Sequence, residues 1–516
     1  MASVETLSDL WRVNGLEGKM DKKELQRVCP ESVGLSSKKI LEFLKELENS
    51  GTEMHGIMIA RHGKVLAESW WLPYLKDMPH CCHSMGKSYM GAAAGIAYDE
   101  GLLNPDEKIV DIFREEIEQK QIPIDAHMQE MTVRNLLSMS SGMRKVPSMH
   151  GDFITNFLAA PVPDEPGTTF LYNSSAVCVL GAILCKKAKE GVKSYVSRRL
   201  FEPIGINPEK MFWLKFSNGI DGEPGVYTTT EDNLRLAMLY MNRGKWEGNQ
   251  ILSQEWIDLS TSLQTDTQAD EGIDDCKYGY GYLLWKCRIP GVYRFDGAFG
   301  QYCIISPKDD MVISITEGAQ YPYNVQKTLD IVYQYFFQEK IPETLEDNPV
   351  EYYELEKYCR ERQLTLQNGV IDRKQGKTFE GTYLLEEGTI NIWVELYEDF
   401  YRLEKRTADK VKIEMVDEII RITFDDTFYF EAALDDRYIY TKSPNIIPEQ
   451  NITCSTAYID EEEQLHFDIN WMNSCLKTYV TIGRTADGIR LSIEKPVMYG
   501  EKENAISYCA TLKRQG

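Results

Sequence analysis

Ser84-Met85-Gly86-Lys87 sets a hydroxyl and an amine three residues apart. On a helix, residues at that spacing share a face, so the lysine amine reaches the serine hydroxyl. A serine hydroxyl is a weak nucleophile until a neighbouring base takes its proton, and this pair supplies both partners. The Ser-x-x-Lys spacing also occurs at Ser36/Lys39, Ser474/Lys477 and Ser492/Lys495, so context has to choose. Ser36 precedes an amphipathic run, Ser37 to Leu44, and reads as a helix N-cap with its lysines on a solvated face. The pairs at 474 and 492 lie in alternating apolar and polar segments, where strand geometry sends residues three apart to opposite faces. Only Ser84 leads into a run of small residues, Gly91-Ala92-Ala93-Ala94-Gly95, which predicts a buried helix over about 84–100 closing at Gly101. The N-terminus of such a helix offers backbone N–H groups and a positive dipole end to an oxyanion forming beside Ser84.

Further segments follow in one collinear order: His55 to Lys64, His83 to Ser88, Asp99 to Leu103, Met131 to Met143, Pro166-Gly167, Tyr172-Asn173-Ser174, Pro203 to Ile206, Tyr278-Gly279-Tyr280-Gly281 and Gly297 to Gln301. This pattern resembles the serine β-lactamase and penicillin-binding-protein-like hydrolases, in particular their class C, esterase and 6-aminohexanoate-dimer (nylon-oligomer) hydrolase branches. The resemblance covers roughly residues 30–340. It implies Ser84 as the acylated nucleophile, Lys87 as its proton partner and Tyr172 as a second acid/base group, with acylation shared between the last two. It also implies Ala298, after Gly297, as the second backbone N–H of an oxyanion hole. The fold implied is of the α/β (α+β) class, a β-lactamase/transpeptidase-like three-layer αβα sandwich with an antiparallel sheet.

Two departures from the family pattern bear on substrate. The family's second motif is Tyr-x-Asn, whereas this chain reads Tyr172-Asn173-Ser174 and offers the Ser174 hydroxyl where an amide is expected. The third motif begins with Lys or His in penicillin-recognising members, and here the match is Phe295-Asp296-Gly297. No histidine occurs between His150 and His466. An acidic residue where a substrate carboxylate would be held argues against a β-lactam or peptidoglycan peptide and for a neutral ester or amide, or one with positive charge near Asp296. Asp296 beside a glycine is also an ordinary turn residue, Phe295 an ordinary packing residue and Tyr172 one of 29 tyrosines.

Other chemistries find less support. His80-Cys81-Cys82-His83 lacks a second ligand pair at metal spacing and reads as a strand entering the Ser84 helix. No Gly-x-Ser-x-Gly elbow, Walker loop or dinucleotide fingerprint is present, and no cofactor or metal is called for. With 57 basic against 80 acidic residues, the net charge of -23 disfavours nucleic acid or an anionic membrane surface as partner. No apolar run is long enough to span a bilayer, and no secretory leader is evident at Met1 to Trp11. Twelve irregularly spaced cysteines read as reduced, mostly buried thiols, so a cytoplasmic location is expected.

The elements that must position this chemistry can be read coarsely. A lead-in covers residues 1–30 and a hydrolase domain 31–340, with a helix near 37–49, strands either side of a His62-Gly63 hairpin, a helix-rich stretch from 84 to about 265, strands near 279–317 and a closing helix near 325–338. A charged connector follows over 341–377, with Pro342 and Pro349 as breakers. Residues 378–516 alternate apolar and polar positions, for example Thr389 to Leu396 and Ile419 to Phe424, and predict a C-terminal all-β barrel or sandwich. Its role is open between roofing the active site, binding substrate and joining a homo-oligomer. The functional expectation is a serine hydrolase of small ester or amide substrates. Alternatives are an acyltransferase using the same acyl-enzyme, a β-lactamase or D-peptidase, and a catalytically weakened ligand-sensing scaffold.

Overall fold

A computed structural model describes residues 24–215, 221–270, 272–319, 324–365, 371–392, 407–435, 437–442, 452–496 and 506–515. Most of the lead-in, and the second half of the segment predicted as a strand at Thr389–Leu396, lie outside the described residues; Thr389–Ile392 is not a strand. The chain divides into two compact units. One comprises Met20–Trp70 with Cys81–Arg362, and the other includes Trp71–His80 with Gln363–Gly516.

The elements of the first unit that bear on chemistry are α1 (Ser37–Asn49), β1 (Met54–Arg61), β2 (Lys64–Trp70), α2 (Gly86–Asp99), α3 (Ser174–Ala188), α4 (Thr230–Met241), β3 (Trp285–Lys286), β4 (Tyr293–Gly297), β5 (Gln301–Ser306), β6 (Met311–Glu317) and α5 (Val325–Phe336). Ser36 caps α1 by accepting from the Lys39 backbone at 3.3 Å, as its sequence context predicts. The six strands form an antiparallel sheet in the order β2-β1-β6-β5-β4-β3. Alternation along β6 shows which helix covers which face. Ser314 Oγ donates to the Thr230 carbonyl in α4 at 2.9 Å, and Thr316 Oγ1 meets Thr230 Oγ1 at 3.2 Å. One residue out of phase, Glu317 accepts from Thr328 of α5 at 3.0 Å, and Tyr302, opposite Ile315, donates to the Val325 carbonyl. Residues of opposite parity point to opposite faces, so α4 and α5 sandwich the sheet and the expected three layers are present.

Helix α2 starts two residues later than the sequence suggests. Ser84 lies in a 3-10 turn, His83–Met85, entered through His83 at φ 48°. At the other end Gly101 takes φ 71°, the left-handed stop expected of a terminal glycine. Gly95 has no room for a side chain, because a Cβ there would lie 2.4 Å from the Trp256 indole nitrogen.

The second unit is a ten-stranded antiparallel sheet over Gly381–Arg514. Burial alternates residue by residue along Lys477–Arg484 and Gly488–Lys495, which is why these strands are legible in sequence. The inward positions form an apolar core with Phe428, Phe430 and Trp471 at its aromatic centre. The two end strands of the order, Phe428–Ala433 and Ile439–Lys442, approach one another through the Glu431 N–H and Thr441 Oγ1 at 3.2 Å, so the sheet is a nearly closed barrel. Ser474 lies in the turn before its strand, rather than in it, while Ser492 and Lys495 point to opposite faces.

Eight of the twelve cysteines are buried. Among the described residues no helix is long and apolar enough to cross a membrane.

Candidate active site

Lys87 Nζ donates to Ser84 Oγ at 3.0 Å. Ser84 is half-buried, whereas the lysine side chain is 1 % exposed. An ammonium group sequestered among the small residues of α2 needs partners, and its second neighbour is Tyr172, over whose ring Nζ sits 4.6 Å from the centroid. Tyr172 lies in the loop just before α3. The structure thus brings together the three residues that sequence reasoning selected as catalytic, from two separated stretches of chain.

The turn bearing Ser84 is clamped from both sides. Asn233 of α4, 1 % exposed, accepts from Tyr89 Oη at 2.7 Å and from Cys82 Sγ at 3.5 Å, one partner after and one before Ser84. Ser88 Oγ donates to the Leu283 carbonyl at 2.9 Å and ties α2 to the segment leading into β3. His83 packs edge-on against Phe299 at 4.8 Å, and burial pulls its imidazole down to about 3, so it stays neutral at ordinary pH. Within His80 to His83, Cys82 thus serves the Asn233 clamp and His83 packs on Phe299.

Strand β4 closes the other wall. Val292 to Gln301 is buried except at Asp296, in β4, and Ala298, in the turn that follows it. Between them, Gly297 makes the approach possible: a Cβ there would lie 2.1 Å from the Cys82 carbonyl oxygen and 3.1 Å from the Met85 nitrogen. The Gln301 side chain then gathers the turn, its Nε2 donating to the Phe299 and Glu317 carbonyls at 3.2 and 2.6 Å. Gly297→Ala is expected to push β4 off the Ser84 turn and to lower kcat on the order of a hundredfold, the cost of an ångström-scale misplacement. Steady-state kinetics beside a thermal unfolding scan checks this.

Asp296 is not a turn residue. Its Oδ2 accepts from Arg294 Nε at 2.7 Å, and Arg294, fully buried, also reaches Asp275 Oδ2 at 3.1 Å. Burial raises the Asp296 carboxyl above the usual carboxylate range, against the lowering pull of Arg294 and of the Lys87 charge. Arg294 keeps its charge despite burial because Asp296 and Asp275 flank it. Phe295 packs edge-on against Tyr240 at 5.1 Å.

Asn173 is fully buried, its Oδ1 caps α3 by accepting from the Ala176 N–H at 3.2 Å, and its amide nitrogen faces Met143 Sδ at 3.7 Å. Ser174, the next residue, keeps partial exposure. Sequence reasoning also missed the aromatic group around Tyr172. Trp285 stacks on its ring at 5.6 Å and 19°, and Tyr280 meets it edge-on at 6.3 Å.

The family model described as Beta-lactamase matches residues 45–330. The 6-aminohexanoate-dimer hydrolase of Paenarthrobacter ureafaciens is 22% identical over 297 residues, covering 52% of this chain and 73% of that protein. Among solved structures, one assigned as a 6-aminohexanoate-dimer hydrolase from Bacillus anthracis aligns with TM-score 0.49 and 18% identity, over 60% of this chain and 86% of that one. The octameric penicillin-binding protein homologue from Pyrococcus abyssi aligns with TM-score 0.47 and 15% identity, over 92% of this chain and 99% of that one.

Proposed function

Because this chain belongs to the β-lactamase family, we propose that it is a serine hydrolase that cleaves a small ester or amide through an acyl-enzyme at Ser84. The observation that carries this reading is the 3.0 Å contact between Ser84 Oγ and a buried Lys87. In its free-amine form Lys87 accepts the Ser84 proton as Oγ bonds to the substrate carbonyl carbon. The bond to the leaving alcohol or amine then breaks, and the proton passes to that group through Lys87 and Tyr172. Water, entering by the reverse path, forms the acid product and frees Ser84. The oxyanion formed in each half is assigned to the backbone N–H groups of Ser84 and Ala298, which Gly297 lets approach.

Asp296 sets the charge preference. Where a substrate carboxylate would need a cation, this wall presents a carboxylate with one oxygen engaged by Arg294, so neutral or cationic acyl substituents fit and anionic ones do not. Partly exposed Ser174 supplies a hydroxyl to the same substrate.

The test is turnover of a short-chain nitrophenyl ester, a matching anilide and a chromogenic cephalosporin. Ester or anilide cleavage with little cephalosporin cleavage is expected; cephalosporin as the best of the three overturns the substrate assignment. With paired esters carrying an ammonium or a methyl group, the ammonium ester is favoured at neutral pH about tenfold, the value of one close charge in a partly hydrated site. The Asp296 carboxyl is raised, so its charge is lost as pH falls through that raised value. The preference therefore decays on acidification above the range where an ordinary aspartate titrates, and Asp296→Asn removes both the preference and its pH dependence. An unchanged ratio in that variant removes Asp296 from substrate selection.

A further inference from the structure

The indole of Trp285 is positioned to do more than fill space. It stacks on Tyr172 at 5.6 Å with only 19° between the planes, and it is 6 % exposed. Phe170 and Tyr280 brace it edge-on at 5.5 and 4.8 Å, and Tyr280 also meets Tyr172 at 89°. A tyrosine oxygen is placed by two side-chain torsions, and a stacked face together with an edge contact fixes both. Lys87 Nζ lies over the same phenol ring, so the plane that Trp285 sets is the plane on which the lysine rests.

The indole is itself anchored by charge. Trp285 in β3 pairs across the ladder with Arg294 in β4, whose guanidinium carbon lies 5.8 Å from the indole ring. That guanidinium is immobilised by Asp275 and Asp296, and Asp275 in turn accepts from Tyr333 Oη at 2.6 Å. One buried cation thus fixes the carboxylate wall and the platform under Tyr172.

We infer that Trp285 is a positioning residue for the acid/base tyrosine, holding the Tyr172 phenol in register with Lys87 and Ser84 through its stacked indole and the Arg294 anchor beneath it. This rests on the assignment of Tyr172 above. Its consequence is separable from substrate binding, since Trp285 acts on the proton-transfer geometry.

The test compares Trp285→Leu, Trp285→Phe and Ser84→Ala on one nitrophenyl ester, with unfolding midpoints measured alongside. Loss of the stack in Trp285→Leu is expected to lower kcat about thirtyfold with KM within about twofold, while Trp285→Phe, which keeps a flat ring, recovers to within about threefold of wild type. Should the leucine variant not fold, Trp285→Met, which fills the gap without a plane, takes its place with the same expectation. A kcat in Trp285→Leu or Trp285→Met equal to wild type, or a phenylalanine variant no better than either, overturns the positioning role. If Ser84→Ala itself retains turnover, the failure belongs to the serine-hydrolase reading.

Discussion

Ser84→Ala lowers turnover of a nitrophenyl ester at least about ten-thousandfold, the scale on which loss of an acylated serine acts. The fold is expected to be kept, because Ser84 is half-buried and its Oγ accepts from Lys87. The Asn233 clamp, which bonds Cys82 and Tyr89 rather than Ser84, keeps the turn in place. The unfolding midpoint is therefore expected to stay within a few degrees while kcat collapses. Parallel loss of both would make Ser84 a structural residue, and full activity would place the nucleophile elsewhere.

Lys87→Met comes second. Methionine approximates the stem of lysine and leaves no buried charge, so α2 keeps its packing. Without the amine, Ser84 Oγ loses its partner at 3.0 Å, and kcat is expected to fall about a thousandfold, within the range that general-base loss produces. Fluorophosphonate labelling of Ser84 slows by a similar factor, because phosphonylation needs the same deprotonation. Binding changes far less, so KM moves by no more than about threefold. A methionine variant that labels as fast as wild type would transfer the base role away from Lys87.

What the sequence disclosed followed from how local each signal is. The Ser84 and Lys87 pairing rests on three-residue spacing, and it survives even though α2 begins only at Gly86. The barrel strands were legible because one face of each is buried, which writes a two-residue period into Lys477–Arg484. The capping role of Asn173 had a local signal: an asparagine directly before Ser174-Ser175-Ala176-Val177 is an N-cap, and the structure uses it so. The Arg294 network could not be read, because it depends on the register that sets Arg294 opposite Trp285 and on Asp275 arriving from another loop. The stack of Trp285 on Tyr172 joins residues distant in the chain, with no periodicity to announce it. Gly297 gives a third kind of case. Its place beside Ala298 was read by resemblance, but the reason for glycine, the Cys82 carbonyl 2.1 Å from where a Cβ would sit, appears only in three dimensions.

The most direct test of the account is the intact mass of the chain after brief exposure to a fluorophosphonate, followed by peptide mapping, for wild type and Ser84→Ala. One adduct per chain, mapped to Ser84 and missing from the variant, is the predicted result. An adduct on any other residue, or equal labelling of the two proteins, would contradict the assignment of Ser84 as nucleophile and with it the hydrolytic mechanism built on Lys87 and Tyr172.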